Sequence, residues 1–336
     1  MRRFIAAVGV LCLVLGGCVV AAAIWWVNTP LPLRTASVEL SIEPGTLPRA
    51  VAVAAVNAGV DTQVELLYAW FRVSRQDRMI KAGSYDIAAG TTPRRLLSML
   101  VRGEEALVTV VLPEGWTFRQ IRAALAKAEQ LRADSKDLDA AALMVQLGRP
   151  GLHPEGRFFP DTYAYTKGSS DLVVLRRALQ AMDRQLDKAW QQRQPGAMTK
   201  TPEEALILAS IIEKETGRAA DRQLVSSVFN NRLRIGMPLQ TDPTVIYGLG
   251  EAFDGNLRKN DLRTDTPWNT YTRPGLPPTP IAMPGKASLL AAVQPVPSKA
   301  LYFVARGDGS SEFSATLDAH NRAVNQYQRG GGAKKP

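Results

Sequence analysis

Residues 206–217 read Leu-Ile-Leu-Ala-Ser-Ile-Ile-Glu-Lys-Glu-Thr-Gly. Wound as a helix, Leu206, Ile207, Leu208, Ile211 and Ile212 cover most of the circumference instead of one stripe. A helix apolar on nearly every side has to be buried on nearly every side. Its ends are written into the sequence. Thr201 is a good N-cap, Pro202 suits the first helical position, and Glu204 completes a capping box three residues after Thr201. Gly217 is a ready C-terminal stop.

The last turn of this helix carries two carboxylates, Glu213 and Glu215. Glu215 follows Ile212, Ile211 and Leu208 at spacings of three, four and seven, so it extends an apolar face. Glu213 follows Ser210, Ala209 and Leu206, a smaller and more polar face. Burial disfavours an ionised carboxyl, and the negative end of the helix dipole acts in the same direction. A carboxylic acid kept protonated near neutral pH can donate a proton to a leaving oxygen. Glu215 fits that role better than Glu213. The structural alternative is that both are solvated helix-end residues paired with Lys214 or Arg218.

The chain has 336 residues and a formal net charge of +10. After Met1-Arg2-Arg3, the stretch from Phe4 to Val27 carries no charge. At about 1.5 Å per residue it can cross a hydrocarbon core of ~30 Å. Arg2 and Arg3 favour a cytoplasmic N-terminus, and Trp25 and Trp26 stand where an interfacial aromatic belt would lie. A cleaved signal peptide is the rival, and Leu15-Gly16-Gly17-Cys18 resembles a weak lipoprotein box. The apolar run continues to Val27, longer than a signal core, so an uncleaved single-pass anchor is expected. Cys12 and Cys18 both fall in this segment, which leaves the rest of the chain without a thiolate for a disulfide, metal site or nucleophile. His153 and His320 are the two histidines, and their wide separation in sequence argues against a His-based zinc site or a Ser-His-Asp triad. Both are expected as ordinary surface residues, and no metal or cofactor is expected. The basic residues are scattered without an aromatic-basic motif, so no nucleic acid is expected as partner. Behind an anchor, the charge suits an anionic envelope surface or polymer.

The expected fold class is α+β: an N-terminal transmembrane helix, a small α+β domain, then a larger α+β domain around the buried helix. The anchor takes residues 1–28, a Pro-containing stalk 29–37, the first domain 38–150, the second 151–328 and a disordered tail 329–336. In the first domain, strand, glycine-threonine turn and helix recur three times, at Val38–Ile42, Gly83–Ile87 and Leu107–Leu112 with the segments that follow. This pattern resembles LysM-type modules, which bind N-acetylglucosamine polymers; a structural domain without ligand is the alternative. Asp171–Arg193 reads as a long amphipathic helix, and a further helix runs from about Asp221 to Ile235. Asp242 before Pro243 is placed to cap a short helix. Residues 263–284 form a long irregular stretch, of the kind that is often functional inside a compact domain. Strands at 301–304 and 312–314 flank a hairpin at Gly307-Asp308-Gly309.

Several segments together resemble the YceG-like family of endolytic murein transglycosylases. They are Leu-Ala-Ser-Ile-Ile-Glu-Lys-Glu-Thr (208–216), Asn-Arg-Leu-Arg-Ile-Gly-Met (231–237) and Gln-Thr-Asp-Pro-Thr-Val-Ile-Tyr-Gly (240–248). Asn-Thr-Tyr (269–271), Gly-Leu-Pro-Pro (275–278), Phe-Phe-Pro-Asp-Thr-Tyr (158–163) and Leu-Tyr-Phe-Val-Ala (301–305) continue the match. The resemblance implies a single-pass inner-membrane enzyme with its catalytic part in the periplasm. It would cleave the MurNAc–GlcNAc β-1,4 bond within peptidoglycan glycan strands, leave 1,6-anhydroMurNAc ends and so terminate strand elongation. The family's catalytic glutamate corresponds to Glu215. A position beside peptidoglycan synthases would suit such an anchor.

The chemistry explains how one acid can suffice. Hydrolysing glycosidases use two carboxyls about 5 Å or 6.5–9.5 Å apart, and residues two apart on a helix, as Glu213 and Glu215 are, do not face each other. A lytic transglycosylase needs no activated water, because the sugar's own C6 hydroxyl attacks C1. Asp242, Asn269 and Tyr271 are expected to hydrogen-bond the sugar or orient Glu215. Tyr247, Trp268 and Phe159 are placed to stack on sugar faces. Each has a plainer alternative as cap, turn or core residue. Two further functions stay open: a muramidase-type hydrolase with Asp242 or another carboxylate as partner, and a non-catalytic membrane-anchored peptidoglycan-binding scaffold.

Overall fold

The computed structural model describes residues 2–329, with the side chains of 2–9, 11, 12 and 329 outside that description. It divides into two compact units, Met1–Val108 with Tyr165–Gly168, and Thr109–Ala164 with Ser169–Pro336. The fold is mixed α+β, mostly helices with three two-stranded sheets among the described residues.

Unit 1 runs α1 (Arg2–Asn28), β1 (Ser37–Ile42), α2 (Pro48–Ala58), α3 (Val64–Val73), β2 (Gly83–Ala88) and α4 (Pro93–Arg102). β1 pairs antiparallel with β2, from Ser37 opposite Ala88 to Ile42 opposite Gly83. The strict alternation of β1 turns Val38, Leu40 and Ile42 inward, onto Val51, Leu67, Phe71, Ile87 and Leu96 of one core. Thr92 caps α4 as its sequence suggests, accepting from Arg95 N at 3.1 Å. The expected stalk is not free chain. Leu31 is buried in this core, its N–H donates to Thr91 O at 2.8 Å, and Arg34 N donates to Gly59 O at 3.0 Å. Two prolines removed donors there without preventing docking.

The apolar N-terminal run forms the continuous 27-residue helix α1. Among the described residues no helix is long and apolar enough to cross a membrane. Much of the uncharged run, residues 4–9 with 11 and 12, has side chains outside that set. Of the tail expected at 329–336, Arg329 closes a helical turn that begins at Asn325, and residues 330–336 lie outside the described residues.

The chain leaves unit 1 within β3 (Leu107–Val111), which pairs with β4 (Thr162–Thr166). Unit 2 therefore begins well before the boundary expected at 150. The third strand-turn-helix piece owes its place to contacts downstream. α5 (Phe118–Lys127) starts with a true capping box between Thr117 and Gln120. Phe118 stacks on Phe158 at 5.4 Å, and both Glu155 carboxylate oxygens accept from Phe118 N, at 3.0 and 3.2 Å. Gly156 sits so close under Pro280 that any side chain there would collide with the ring, and its φ of +79° suits glycine.

After α6 (Ala140–Gln146), unit 2 continues through α7 (Asp171–Gln191), α8 (Pro202–Glu215), α9 (Ala219–Arg234), α10 (Asp242–Leu249) and α11 (Lys259–Arg263). It ends with α12 (Lys286–Val293), the antiparallel pair β5 (Tyr302–Ala305) and β6 (Ser311–Ser314), and α13 (Leu317–Val324). α8 is the central rod: every residue from Ala205 to Ile212 is buried. α7, α9, α10 and α12 pack around it. The one polar group in that run is satisfied, since Ser210 Oγ donates to Ile207 O and accepts from Ile281 N at 3.0 Å. α12 was not anticipated as a helix; Ala and Leu in Lys286–Val293 give it small, apolar faces that fit closely on α8.

The ends of α8 differ from expectation in detail. Thr201 accepts from Glu204 N at 3.1 Å, but Glu204 returns its bond to Lys200 N instead of Thr201 N, so no reciprocal capping box closes. Gly217 has no positive φ; the helix stops because Thr216 is extended, with φ −148° and ψ 127°. A β-branched residue takes that conformation readily.

Candidate active site

Glu215 ends α8 and lines a groove of about 360 Å³ together with, among others, Arg232, Thr241, Asp242, Tyr271, Tyr302 and His320. The carboxyl is held from one side. Thr241 is the N-cap residue of α10 yet makes no capping bond; its hydroxyl donates to Glu215 Oε1 instead. Thr241 itself is buried and fixed by its neighbours. Its N–H donates to Thr270 Oγ1 at 3.1 Å, and its carbonyl accepts from Thr244 Oγ1 at 2.8 Å. The preceding Gln240 has φ +49°, a left-handed conformation that costs a non-glycine residue energy. That bend sets Thr241 against the end of α8.

Asp242 is therefore not the cap but the first residue of α10. Its exposed carboxylate accepts the Tyr271 hydroxyl at 2.6 Å. Burial pushes the Glu215 carboxyl above its usual range; the Thr241 bond opposes this, Asp242 adds to it, and the positive Arg232 opposes it. Burial, helped by Asp242 and Glu215, also raises the Tyr271 phenol, so it remains a donor.

Arg232 is buried on α9. Its Nε donates to Leu301 O at 2.7 Å and its Nη1 to Leu239 O at 2.6 Å, which leaves its charge fixed beside the groove. It forms no ion pair with Glu215 among the described contacts, so it acts on the acid through space.

Three sequence candidates, Glu215, Asp242 and Tyr271, come together here. Asn269 does not reach the groove. It is fully buried, and its Nδ2 donates to the carbonyls of Asp261, Leu262 and Thr264 at 3.3, 3.2 and 2.7 Å. Its Oδ1 accepts from Tyr271 N at 2.9 Å, so it organises the loop that presents Tyr271. Tyr247 lies in a different groove of about 710 Å³ with Trp268, Glu155 and Phe253. There its ring meets Trp268 edge-on at 5.5 Å, and its hydroxyl bonds Glu155. Trp268 Nε1 donates to Thr279 Oγ1 at 3.0 Å. Phe159 is partly buried against the core around α8. Glu213 accepts from Gly285 N at 2.9 Å, tying the end of α8 to the start of α12.

Among the groove residues not singled out from the sequence are Thr241, Arg232, Tyr302 and His320. Thr241, Arg232 and Tyr302 lie inside the segments that carry the family resemblance, but nothing in their spacing tells which contact the acid. His320 was expected on the surface and instead lines the groove. His153 is exposed, with Nδ1 accepting from Glu155 N at 3.2 Å. Among the described residues no group of three or more His, Cys, Asp or Glu is placed to hold a metal ion.

An α+β unit in which a partly exposed glutamate ends a buried helix in an aromatic-lined groove, with a threonine hydroxyl donating to its carboxyl, is a scaffold suited to acid chemistry. Within that class the chain belongs to the YceG-like family, whose model matches residues 40–326. It is 34% identical over 269 residues to an endolytic murein transglycosylase of Bacillus subtilis (strain 168), covering 74% of this chain and 73% of that protein. It is 27% identical over 298 residues to an endolytic murein transglycosylase of Streptococcus pneumoniae (serotype 2 strain D39), covering 78% of this chain and 53% of that one. The chain thus spans about half the length of the pneumococcal relative. Its fold is similar to the crystal structure of a YceG-like protein from Listeria monocytogenes, with TM-score 0.55, 28% identity and coverage of 85% of this chain and 98% of that one.

Proposed function

We propose that this chain is an endolytic lytic transglycosylase that cleaves the MurNAc–GlcNAc β-1,4 bond inside peptidoglycan glycan strands. The observation that carries this reading is Glu215, its carboxyl raised by burial and lining a groove, in a chain whose relatives bear the name endolytic murein transglycosylase. Protonated Glu215 gives its proton to the glycosidic oxygen as the C1–O4 bond breaks. The carboxylate left behind takes the proton of the MurNAc C6 hydroxyl as that oxygen bonds C1. The product is a 1,6-anhydroMurNAc end, and no water is consumed. The nucleophile is tethered to the reacting sugar, so its assembly costs little entropy.

Thr241 aims the carboxyl, and its hydroxyl can follow the change from acid to carboxylate. Asp242, supported by Tyr271, keeps the acid protonated and offers an acceptor to a sugar hydroxyl. Arg232 limits how far the acid is raised, so that Glu215 can also act as the base.

The proposal extends to placement. α1, with the uncharged run 4–27 behind Arg2 and Arg3, would anchor the chain in the inner membrane with both units in the periplasm. Leu13, Val14, Leu15, Val19, Val20 and Ile24 are exposed on α1, which suits a lipid-facing helix. Unit 1, with its strand-turn-helix pieces, would act as the LysM-like glycan-binding module. In this setting the enzyme would end strand elongation near peptidoglycan synthases.

Mass spectrometry of glycan strands digested by the purified protein tests the reaction. Strand fragments ending in anhydroMurNAc are the expected products. Reducing MurNAc ends would reject the transglycosylase in favour of a hydrolase using Asp242, which shares the groove. Carbonate-resistant membrane association of the full chain is expected from the anchor, and release into the soluble fraction would refute it.

A further inference from the structure

His320 stands on α13 and lines the same groove as Glu215. Its ring lies nearly flat against Tyr302, with centroids 5.2 Å apart and planes 22° apart. Tyr302 in turn is flanked by the Arg232 guanidinium, 5.3 Å from its centroid. Arg232 is locked by the Leu301 and Leu239 carbonyls. The imidazole is thus oriented by stacking alone, on a rigid support, and not by a hydrogen bond.

Its nitrogens are unequal. Nδ1 is buried and has no hydrogen-bond partner. Nε2 is the nitrogen left for a ligand in the groove. A buried N–H without an acceptor is rarer and costlier than a buried acceptor without a donor. The neutral ring therefore carries its proton on Nε2, where it can be donated to a ligand oxygen. The charged and titratable groups around this groove are Arg232 on α9, Glu215 on α8, Asp242 on α10, Tyr271 in its loop and Tyr302 on β5. Burial and the Arg232 charge hold His320 below the usual histidine range, which favours the neutral ring.

We propose that His320 is a substrate-contacting residue whose Nε2–H donates a hydrogen bond to an oxygen of the N-acetylated sugar held against Glu215. This rests on the reading of the groove as a glycan-cleaving site. It adds a donor on the wall formed by α13 and β5, away from Thr241 and Asp242. An acetamido carbonyl is the strongest neutral acceptor such a sugar offers, and it is the group that a fixed N–H would select.

The test uses the full chain and peptide-free glycan strands as probe. Wild type is first shown to release anhydroMurNAc ends; absence of any cleavage would overturn the functional reading and this inference with it. Binding is then measured in a Glu215→Gln background, which keeps the strands intact. His320→Phe preserves the stack on Tyr302 and removes both nitrogens. Its Kd is expected to rise about tenfold at an unchanged melting temperature, the effect of one lost hydrogen bond to ligand. His320→Gln, which restores an N–H donor, is expected to recover most of that loss. In the active background, His320→Phe is expected to raise KM more than it lowers kcat. An unchanged Kd in His320→Phe, with the parent still binding, would overturn the inference alone. So would equal weakening in both variants accompanied by a lower melting temperature, which would make the role structural.

Discussion

The hydroxyl of Thr241, the N-cap residue of α10, donates to Glu215 at the end of α8 instead of capping its own helix. An N-cap hydroxyl normally bonds a first-turn N–H, and losing that bond costs helix stability, typically about 1 kcal/mol. Here the stabilisation is diverted to the acid, and the strained Gln240 just before it marks the same compromise.

This contact and its neighbour Asp242 push the acid in opposite directions. Activity that needs protonated Glu215 is lost as pH rises through its pKa. Removing the Thr241 bond removes an influence that lowers that pKa, and removing the Asp242 charge removes one that raises it. Thr241→Val is therefore expected to move the alkaline limb of kcat/KM to higher pH, and Asp242→Asn to lower pH. The pH profile of muropeptide release reads both shifts. Movement of both limbs in the same direction would contradict the arrangement.

The two glutamates of the last α8 turn should separate cleanly. Glu215→Gln removes the acid and is expected to cut turnover by about 10²–10⁴-fold, the usual contribution of a general acid. Glu213 holds Gly285 N, and glutamine can accept the same bond. Glu213→Gln is expected to stay within about tenfold of wild type, well short of the loss of a general acid. Single-turnover assays on purified strands decide it, with circular dichroism confirming that both variants fold.

Asn269 gives a test of stability. Its amide satisfies the carbonyls of Asp261, Leu262 and Thr264, and its oxygen takes Tyr271 N. Asn269→Ala leaves buried polar groups without partners, at roughly 1–3 kcal/mol. A lower urea midpoint is expected, together with reduced activity through displacement of Tyr271. Full stability with lost glycan binding would instead mean that the side chain meets the ligand directly.

The sequence carried the buried rod, its catalytic-looking end and most helix starts, because these depend on local periodicity and capping chemistry. α7 is capped by Ser170 and α4 by Thr92, each side chain accepting a bond from the first turn. It did not carry the unit boundary, because α5 is tied into unit 2 by Glu155 and Phe158, residues distant in sequence. Nor did it distinguish Asn269 from Tyr271, which are two residues apart; one turns into the loop interior and the other toward Asp242. His320 was illegible for the same reason. A polar residue on a short amphipathic helix reads as solvated until β5 is seen to bring Tyr302 beneath it.

Glu155 provides a pH test independent of catalysis. It is buried, accepts from Phe118 N with both oxygens and bonds Tyr247, yet burial outweighs these bonds and pushes its pKa up to about 7. An unfolded chain releases this proton near the ordinary glutamate value of 4.5. Between those two values the folded state binds more protons than the unfolded state, so stability falls as pH rises. The loss is complete above about pH 7. Its upper bound is about 3 kcal/mol, from the shift at 1.36 kcal/mol per unit. Glu155→Gln keeps an acceptor for Phe118 N but cannot ionise. The variant is expected to show a smaller drop in Tm between pH 5 and pH 8 than wild type, by a few °C for each kcal/mol removed. The difference between the two Tm curves isolates Glu155 from Glu215, which titrates in both proteins. Parallel curves would mean that Glu155 is already ionised in the folded state, and that its bonds to Phe118 and Tyr247 outweigh its burial.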